Sequence, residues 1–253
     1  MGYERVIELV KSAKKIVDNE LLKKDIHMKG AANFVTAVDT EISRYLKERL
    51  KEYYPEVGFF SEEEEGSLSD PCWILDPIDG TTNLVYGYNM STVSLALYQG
   101  GRIQFGVVFN PFNGECFTAE LGRGAYLDGH RIHVSQREMA ESIIEFGAGS
   151  THKENAEANF EIAKRMFIQC IDIRRICSSA LSLCYIAAGR IDGYFEKVLK
   201  PWDYAAGALI LQEAGGELSD YYGTGLQFAN RSSIIAGNGK NNRIMKEIIS
   251  EFY

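Results

Sequence analysis

Two carboxylates three positions apart, Asp76 and Asp79, run at once into Gly80 and two hydroxyls, Thr81 and Thr82, within Trp73-Ile-Leu-Asp-Pro-Ile-Asp-Gly-Thr-Thr-Asn83. Clustered carboxylates repel one another, and beside a phosphate they make chemical sense only with divalent cations between them. Hard oxygen donors of this kind suit magnesium. Asp79 stands where an N-cap would, so the amides of Gly80 and Thr81 would open a short helix at its positive end, where an anion is favoured. The same residue types also make an ordinary solvated turn, so other parts of the chain have to decide between the two readings.

Three more acids stand, like this pair, where a strand or loop meets the next element: Asp39, ahead of a helical pattern; Glu62, after Phe59-Phe60; and Asp203, in Pro201-Trp-Asp-Tyr-Ala-Ala206. Element ends of this type converge on one crevice in layered α/β proteins. Taken singly, Asp39 and Asp203 read equally well as helix N-caps, and Glu62 as part of a solvated run of four glutamates.

The elements that must position these groups follow from periodicity. Val6, Ile7, Leu9, Val10, Ala13, Ile16 and Val17 recur at helical spacing and predict an amphipathic helix over residues 3–22. Residues 33–36 are strand-like and lead to Asp39, which caps a second helix with Ile42, Tyr45, Leu46, Leu50 and Tyr53 on its apolar face. Residues 57–60 read as a strand. Cys72-Trp-Ile-Leu75 reads as an interior strand that Asp76-Pro77 ends, because proline cannot continue the ladder. Residues 91–98 and 103–109 form a hairpin around Gln99-Gly-Gly101, residues 115–120 add a strand, and 125–134 another hairpin. After residue 140 the rhythm alternates: strands at 142–146, 172–175, 191–196 and 232–236, and helices at 155–167, 179–188, 203–214 and 240–252, the third stopped by Gly215-Gly216. The expectation is an α+β protein with a largely antiparallel N-terminal sheet (residues 1–140) and a smaller α/β half (141–253) that packs against it.

Composition narrows the function. The 253 residues include 35 acidic and 27 basic side chains for a net charge of −8, with no basic run longer than two. A broad nucleic-acid face is not expected, and a phosphorylated substrate would have to be attracted locally, by bound metal and backbone amides, against the overall field. The five cysteines lack a Cys-x-x-Cys spacing and read as reduced, mostly buried thiols. With no signal-like N-terminus and no long apolar stretch, the expectation is a cytoplasmic protein without a membrane partner.

The central motif together with Pro201-Trp-Asp-Tyr-Ala-Ala-Gly207 closely resembles the two signatures of the inositol monophosphatase family, a branch of the magnesium-dependent, lithium-sensitive sugar phosphatases. The likeness extends to Phe34-Val-Thr-Ala-Val-Asp39, Phe60-Ser-Glu-Glu63 and Gly122-Arg-Gly-Ala-Tyr-Leu-Asp-Gly129. It implies an αβαβα layered fold and hydrolysis of a phosphate monoester with two or three magnesium ions. By motif position, Glu62, Asp76 and the Ile78 carbonyl would hold one ion and Asp76, Asp79 and Asp203 another, a third sharing Glu62. Asp39 and Thr81 would orient the attacking water, Gly80 and Thr81 would hold phosphate oxygens, and Asp79, Ser179 and Glu196 would contact the substrate. The resemblance further implies a small phosphorylated polyol or sugar as substrate, myo-inositol 1-phosphate first, and a homodimer. Fructose-1,6-bisphosphatase, histidinol-phosphatase, a 3'-nucleotide phosphatase and a non-catalytic regulatory member are the alternatives. Ser61 and Leu84 depart from the family pattern away from the ligands, whereas Cys177-Ser178-Ser179 departs beside the substrate. Lys29 resembles a lysine near the metal loop, and Arg174 and Arg175 could reach a second phosphate or pair at the surface.

Overall fold

The computed structural model describes residues 2–30, 33–64 and 66–253, apart from the side chains of Lys29 and Asn33; the proposed role of Lys29 therefore lies outside the described residues. The first helical stretch is broken into three: α1 (Glu4–Ser12), α2 (Lys14–Val17) and α3 (Glu20–Lys24), the last capped by the Asn19 side chain. β1 (Ile26–Gly30), not foreseen from the sequence, pairs antiparallel with β2 (Asn33–Thr36). α4 (Ala37–Tyr53), β3 (Gly58–Ser61), β4 (Cys72–Asp79) and the one-turn α5 (Thr81–Val85) carry most of the expected acids. Then follow β5 (Thr92–Gln99), β6 (Arg102–Phe109), β7 (Cys116–Glu120), β8 (Gly124–Leu127) and β9 (His130–Ile132). The remainder is β10 (Ile143–Phe146), α6 (Ala156–Gln169), β11 (Asp172–Arg174), α7 (Ser179–Ala187), β12 (Gly193–Leu199), α8 (Pro201–Glu213), β13 (Glu217–Ser219), β14 (Ser232–Gly237) and α9 (Asn242–Ile249).

β3 through β9 form a seven-stranded sheet in sequential order, antiparallel except for the parallel pair β3 and β4. A second sheet has the order β11-β10-β12-β14-β13. Side chains alternate across a strand, and β4 shows what that does to the layers. Trp73 and Leu75 pack against Val10, Val17, Ile42 and Leu46 of α1, α2 and α4. Cys72 and Ile74 face the opposite way, into a cluster with Leu181, Leu183, Tyr204 and Leu209 of α7 and α8. That cluster also takes in Tyr194, Ile234 and Ala236 of the second sheet, whose other face covers Ile162, Met166, Met245 and Ile249 of α6 and α9. The sequence of layers is thus αβαβα. α7 and α8, covered by a sheet on each side, have no polar face, as expected for helices buried all round.

Pro77 does not end β4. The strand runs on to Asp79, and Asp76 and Asp79 pair with Ser94 and Thr92, three steps on one strand against two on the other. The extra residue is a bulge, a place where a sheet tolerates proline. The expected strand end is therefore corrected to a bulged continuation that carries both carboxylates.

One acid outside the expected set is buried in the second sheet. Glu145 on β10 is 1% exposed, its Oε1 accepts the Ile176 N–H at 2.7 Å, and its Oε2 has no hydrogen-bond partner among the described residues. Burial pushes its carboxyl up to about 8. A folded-state value above the unfolded one makes a stabilising contribution that is complete below about pH 4.5 and is lost as pH rises through 8. Glu145→Gln, which keeps the shape and cannot ionise, should therefore gain about 1 kcal/mol on the parent between pH 7 and 9. Urea melts at a series of pH values without divalent ions check this, and a gap that does not change with pH would contradict it.

Candidate active site

Asp79 caps a helix, though not the one expected. The N-cap of α5 is Gly80, in the left-handed region at φ 89°. The Asp79 carboxylate turns instead to the start of α7, accepting from the Ser178 hydroxyl at 2.6 Å and from the amides of Ser179 and Ala180 at 3.2 and 2.8 Å. A negative group there sits at the positive end of that helix. These donors oppose the burial that pushes the Asp79 carboxyl up to about 6.

Asp39 likewise is not the N-cap of α4. Thr36 is, and Asp39 occupies the third helical position, completing a capping box in which its Oδ2 accepts the Thr36 N–H at 2.8 Å and hydroxyl at 2.5 Å. The other oxygen, Oδ1, accepts from the Thr81 hydroxyl at 3.1 Å, which is also 3.0 Å from the Ile78 carbonyl. Asp39 is 1% exposed, and burial, partly offset by Thr36, pushes its carboxyl up to about 6. Asp203 repeats the pattern on α8: Lys200 is the N-cap, Pro201 opens the helix, and the third-position Asp203 accepts the Lys200 N–H at 2.7 Å.

The carboxylates are brought together. Asp76, 2% exposed, accepts the Ile78 N–H at 3.0 Å. Its carboxyl is driven well above the ordinary range by burial and then by Glu62, Asp79, Asp203 and Asp39. Asp203 is raised by burial, Asp79, Glu62 and Glu196. Glu62, tied to β4 by its N–H on the Leu75 carbonyl at 3.3 Å, is thus in the field of both. Among the described residues no ion pair reaches Asp39, Asp76, Asp79 or Asp203, and no group of three or more acidic, cysteine or histidine side chains is spaced to hold a metal ion as it stands. A group of hard oxygen donors that repel one another is of the kind that suits divalent cations.

Glu196 on β12 faces the same end. Its Oε2 accepts from the Tyr194 hydroxyl and lies 3.4 Å from the Ser179 hydroxyl. Arg174 is taken up by Asp172 and the Ile173 carbonyl, and Arg175 lies over the Phe146 ring at 5.3 Å. Of the five cysteines, all free, three are buried as expected, while Cys177 is exposed and sits at φ 61° in the turn before α7. Sequence reading missed Thr36, Ser178, Tyr194 and Glu145. Thr36-x-x-Asp39 had a legible capping-box spacing, and Tyr194 stands two residues from Glu196 on one strand, whereas the partners of Asp79 lie about a hundred residues away in sequence and leave no local signal.

A model of the inositol monophosphatase family matches residues 3–253. The chain is similar to the Nus factor SuhB of Vibrio cholerae, 38% identical over 227 residues, which cover 88% of this chain and 85% of that protein. It is also similar to an inositol-1-monophosphatase of Rhizobium meliloti, 36% identical over 234 residues, covering 91% and 88%. Among solved structures, the extragenic suppressor protein suhB of Bartonella henselae superimposes with a TM-score of 0.91 at 32% identity over 98% of each chain.

The turn at Gly80 gives a direct test of the geometry. A Cβ there would meet the Cys177 carbonyl oxygen at 3.0 Å, in a left-handed backbone. Gly80→Ala should lose at least about 1 kcal/mol, read as a lower urea midpoint at unchanged slope. An alanine variant as stable as the parent would show that β4 and the α7 turn are not locked together here.

Proposed function

Because the chain belongs to the inositol monophosphatase family, we propose that it hydrolyses the phosphate monoester of a small polyol, myo-inositol 1-phosphate first, with magnesium. The observation that supports this reading best is the meeting of Asp39, Asp76, Asp79 and Asp203 in one buried field with Glu62, beside a Thr81 hydroxyl bonded to Asp39.

Glu62, Asp76 and the Ile78 carbonyl would hold one magnesium ion and Asp76, Asp79 and Asp203 another, with a third sharing Glu62. Bound there, magnesium supplies charge neutralisation at the ester oxygens and makes water a nucleophile near neutral pH. The amides of Gly80 and Thr81, at the start of α5, orient phosphate oxygens. The Thr81 hydroxyl relays the proton that the attacking water gives up, passing its own to Asp39 Oδ1; Asp39, held on its other oxygen by Thr36, stays in place to receive it. Glu196 accepts a hydrogen bond from a hydroxyl of the polyol, and Ser179 stands beside it.

A regulatory role without catalysis is the second reading, favoured by the name Nus factor that several similar relatives carry. The complete acid set and the Thr81–Asp39 contact weigh for turnover. Dimerisation of this chain stays with the family likeness. Among the described residues no helix is long and apolar enough to cross a membrane.

Assay of the purified protein against inositol 1-phosphate, fructose 1,6-bisphosphate, histidinol phosphate and a 3'-phosphorylated nucleotide should give the highest kcat/KM for inositol 1-phosphate. Turnover should stop with a chelator and fall with lithium. A much faster bisphosphate reaction overturns the substrate, and chelator-resistant turnover overturns the metal. Asp39→Asn should lower kcat by about 10²–10⁴-fold with KM little changed, and Asp76→Asn, which removes the donor shared by both ions, should cost more than loss of any other acid.

A further inference from the structure

Tyr194 and Glu196 lie two residues apart on β12 and so share the face turned to α7. The Tyr194 ring is 2% exposed within the central core, a place that phenylalanine would fill as well. Burying a hydroxyl costs free energy unless it is bonded. This one is bonded to Glu196 Oε2 and stands 3.0 Å from the Ser179 hydroxyl. Ser179, in turn, lies 3.4 Å from the same Oε2, while its backbone N–H donates to Asp79. One residue at the head of α7 therefore joins the carboxylate on the metal side to the carboxylate at the hydroxyl-binding side.

The opposite wall is built to the same end. A Cβ on Gly147, just past β10, would lie 1.9 Å from Glu196 Oε2, so only glycine leaves room for the carboxylate in this position. Glu196 is thus held through Oε2 by two hydroxyls and confined by backbone, and Oε1 is the oxygen that these hydroxyls do not occupy. A long side chain loses up to about 2 kcal/mol of rotamer freedom when it is fixed, and here the protein fixes it before any substrate arrives.

We propose that Tyr194, together with the Ser179 hydroxyl, is a positioning and specificity-determining pair that holds Glu196 ready to accept a substrate hydroxyl, so that the enzyme selects phosphate esters carrying a free hydroxyl near the ester oxygen. The inference rests on the phosphatase reading of this site and deepens it. A site built to hydrogen-bond a hydroxyl discriminates against substrates that lack one, because its own polar group is then left unpaired. Tyr194 and Ser179 act through Glu196 and touch no reacting atom, so their loss should fall on selectivity rather than on the chemical step.

The test compares Tyr194→Phe and Ser179→Ala with the parent on two esters, inositol 1-phosphate and 4-nitrophenyl phosphate, whose leaving group carries no hydroxyl. The ratio of the two kcat/KM values should fall roughly tenfold or more in Tyr194→Phe, carried by KM for the inositol ester, since a hydrogen bond to a charged group is what weakens. Ser179→Ala should move it the same way. A ratio within about twofold of the parent in both variants, or an equal loss on both esters, overturns the inference. If the parent prefers another hydroxyl-bearing ester, the substrate proposal fails, and the same ratio taken with that ester decides the role of Tyr194. If the parent turns over no ester, the phosphatase reading fails, and a crystal structure of Tyr194→Phe decides alone: Glu196 displaced from its parent position supports the positioning role, and Glu196 unmoved overturns it.

Discussion

Like charges buried together are the constraint around which this protein is arranged. Asp39, Asp76 and Asp79 are almost removed from water, Asp203 is half-buried, and these acids raise one another's affinity for protons, with Glu62 adding to the field. Each is held by donors from a different element, and the donors are unevenly shared. Asp79 has a hydroxyl and two amides of the α7 turn, Asp39 has both donors of Thr36, Asp203 has the Lys200 amide, and Asp76 has the Ile78 amide alone. Asp76 is also the one whose carboxyl feels all the others. Asp76, with a single donor as Asp203 has, lies at the electrostatic centre of the group, which is where a bound cation would gain most.

Such a cluster cannot stabilise the fold that contains it. The stabilising term has to come from the apolar layers, in which a fully buried Leu, Ile or Val contributes about 1.5–3 kcal/mol. The layer order also explains why the acids meet. α7 and α8 lie between the two sheets, so their N-termini are within reach of the bulged end of β4 on one side and of β12 on the other. Asp79 arrives from the first sheet and Glu196 from the second, and both bond to the first residue of α7, Asp79 to its amide and Glu196 beside its hydroxyl. The site is therefore a property of the packing between the sheets, and neither sheet could assemble it alone.

How much of this was legible in the sequence varies with the range of the interaction. The strands and helices of the layered architecture follow from local period, and the acids of the central motif were visible as acids because their spacing is short. Helix starts were misread by two or three residues wherever an acid was taken for the cap: Thr36 and Lys200 are the caps, and Asp39 and Asp203 are third-position partners. Pro77 was misread because proline was expected to end a strand, and a bulge absorbs it instead. β1 was missed because Ile26-His-Met-Lys-Gly30, although it alternates apolar and polar, is a short run that takes its order from pairing with β2. What no local pattern could reveal is the service of the α7 turn to Asp79, about a hundred residues away.

That turn shows how a costly backbone is kept. Cys177 holds a left-handed conformation at φ 61°, which costs a residue with a Cβ about 1–2 kcal/mol. It does so because both flanks are pinned. Before it, the Ile176 N–H goes to Glu145 and the Ile176 carbonyl accepts from Asn83 at 2.8 Å. After it, the Ser178 hydroxyl and the next two amides go to Asp79. Asn83 belongs to α5, which opens at Gly80, and Gly80 is the residue whose missing side chain lets the Cys177 carbonyl approach. Strain of this kind persists only where the surroundings over-determine it. Here the surroundings are the two segments that present Asp79 and the α5 amides, so the strained residue records the closeness with which those segments are pressed together.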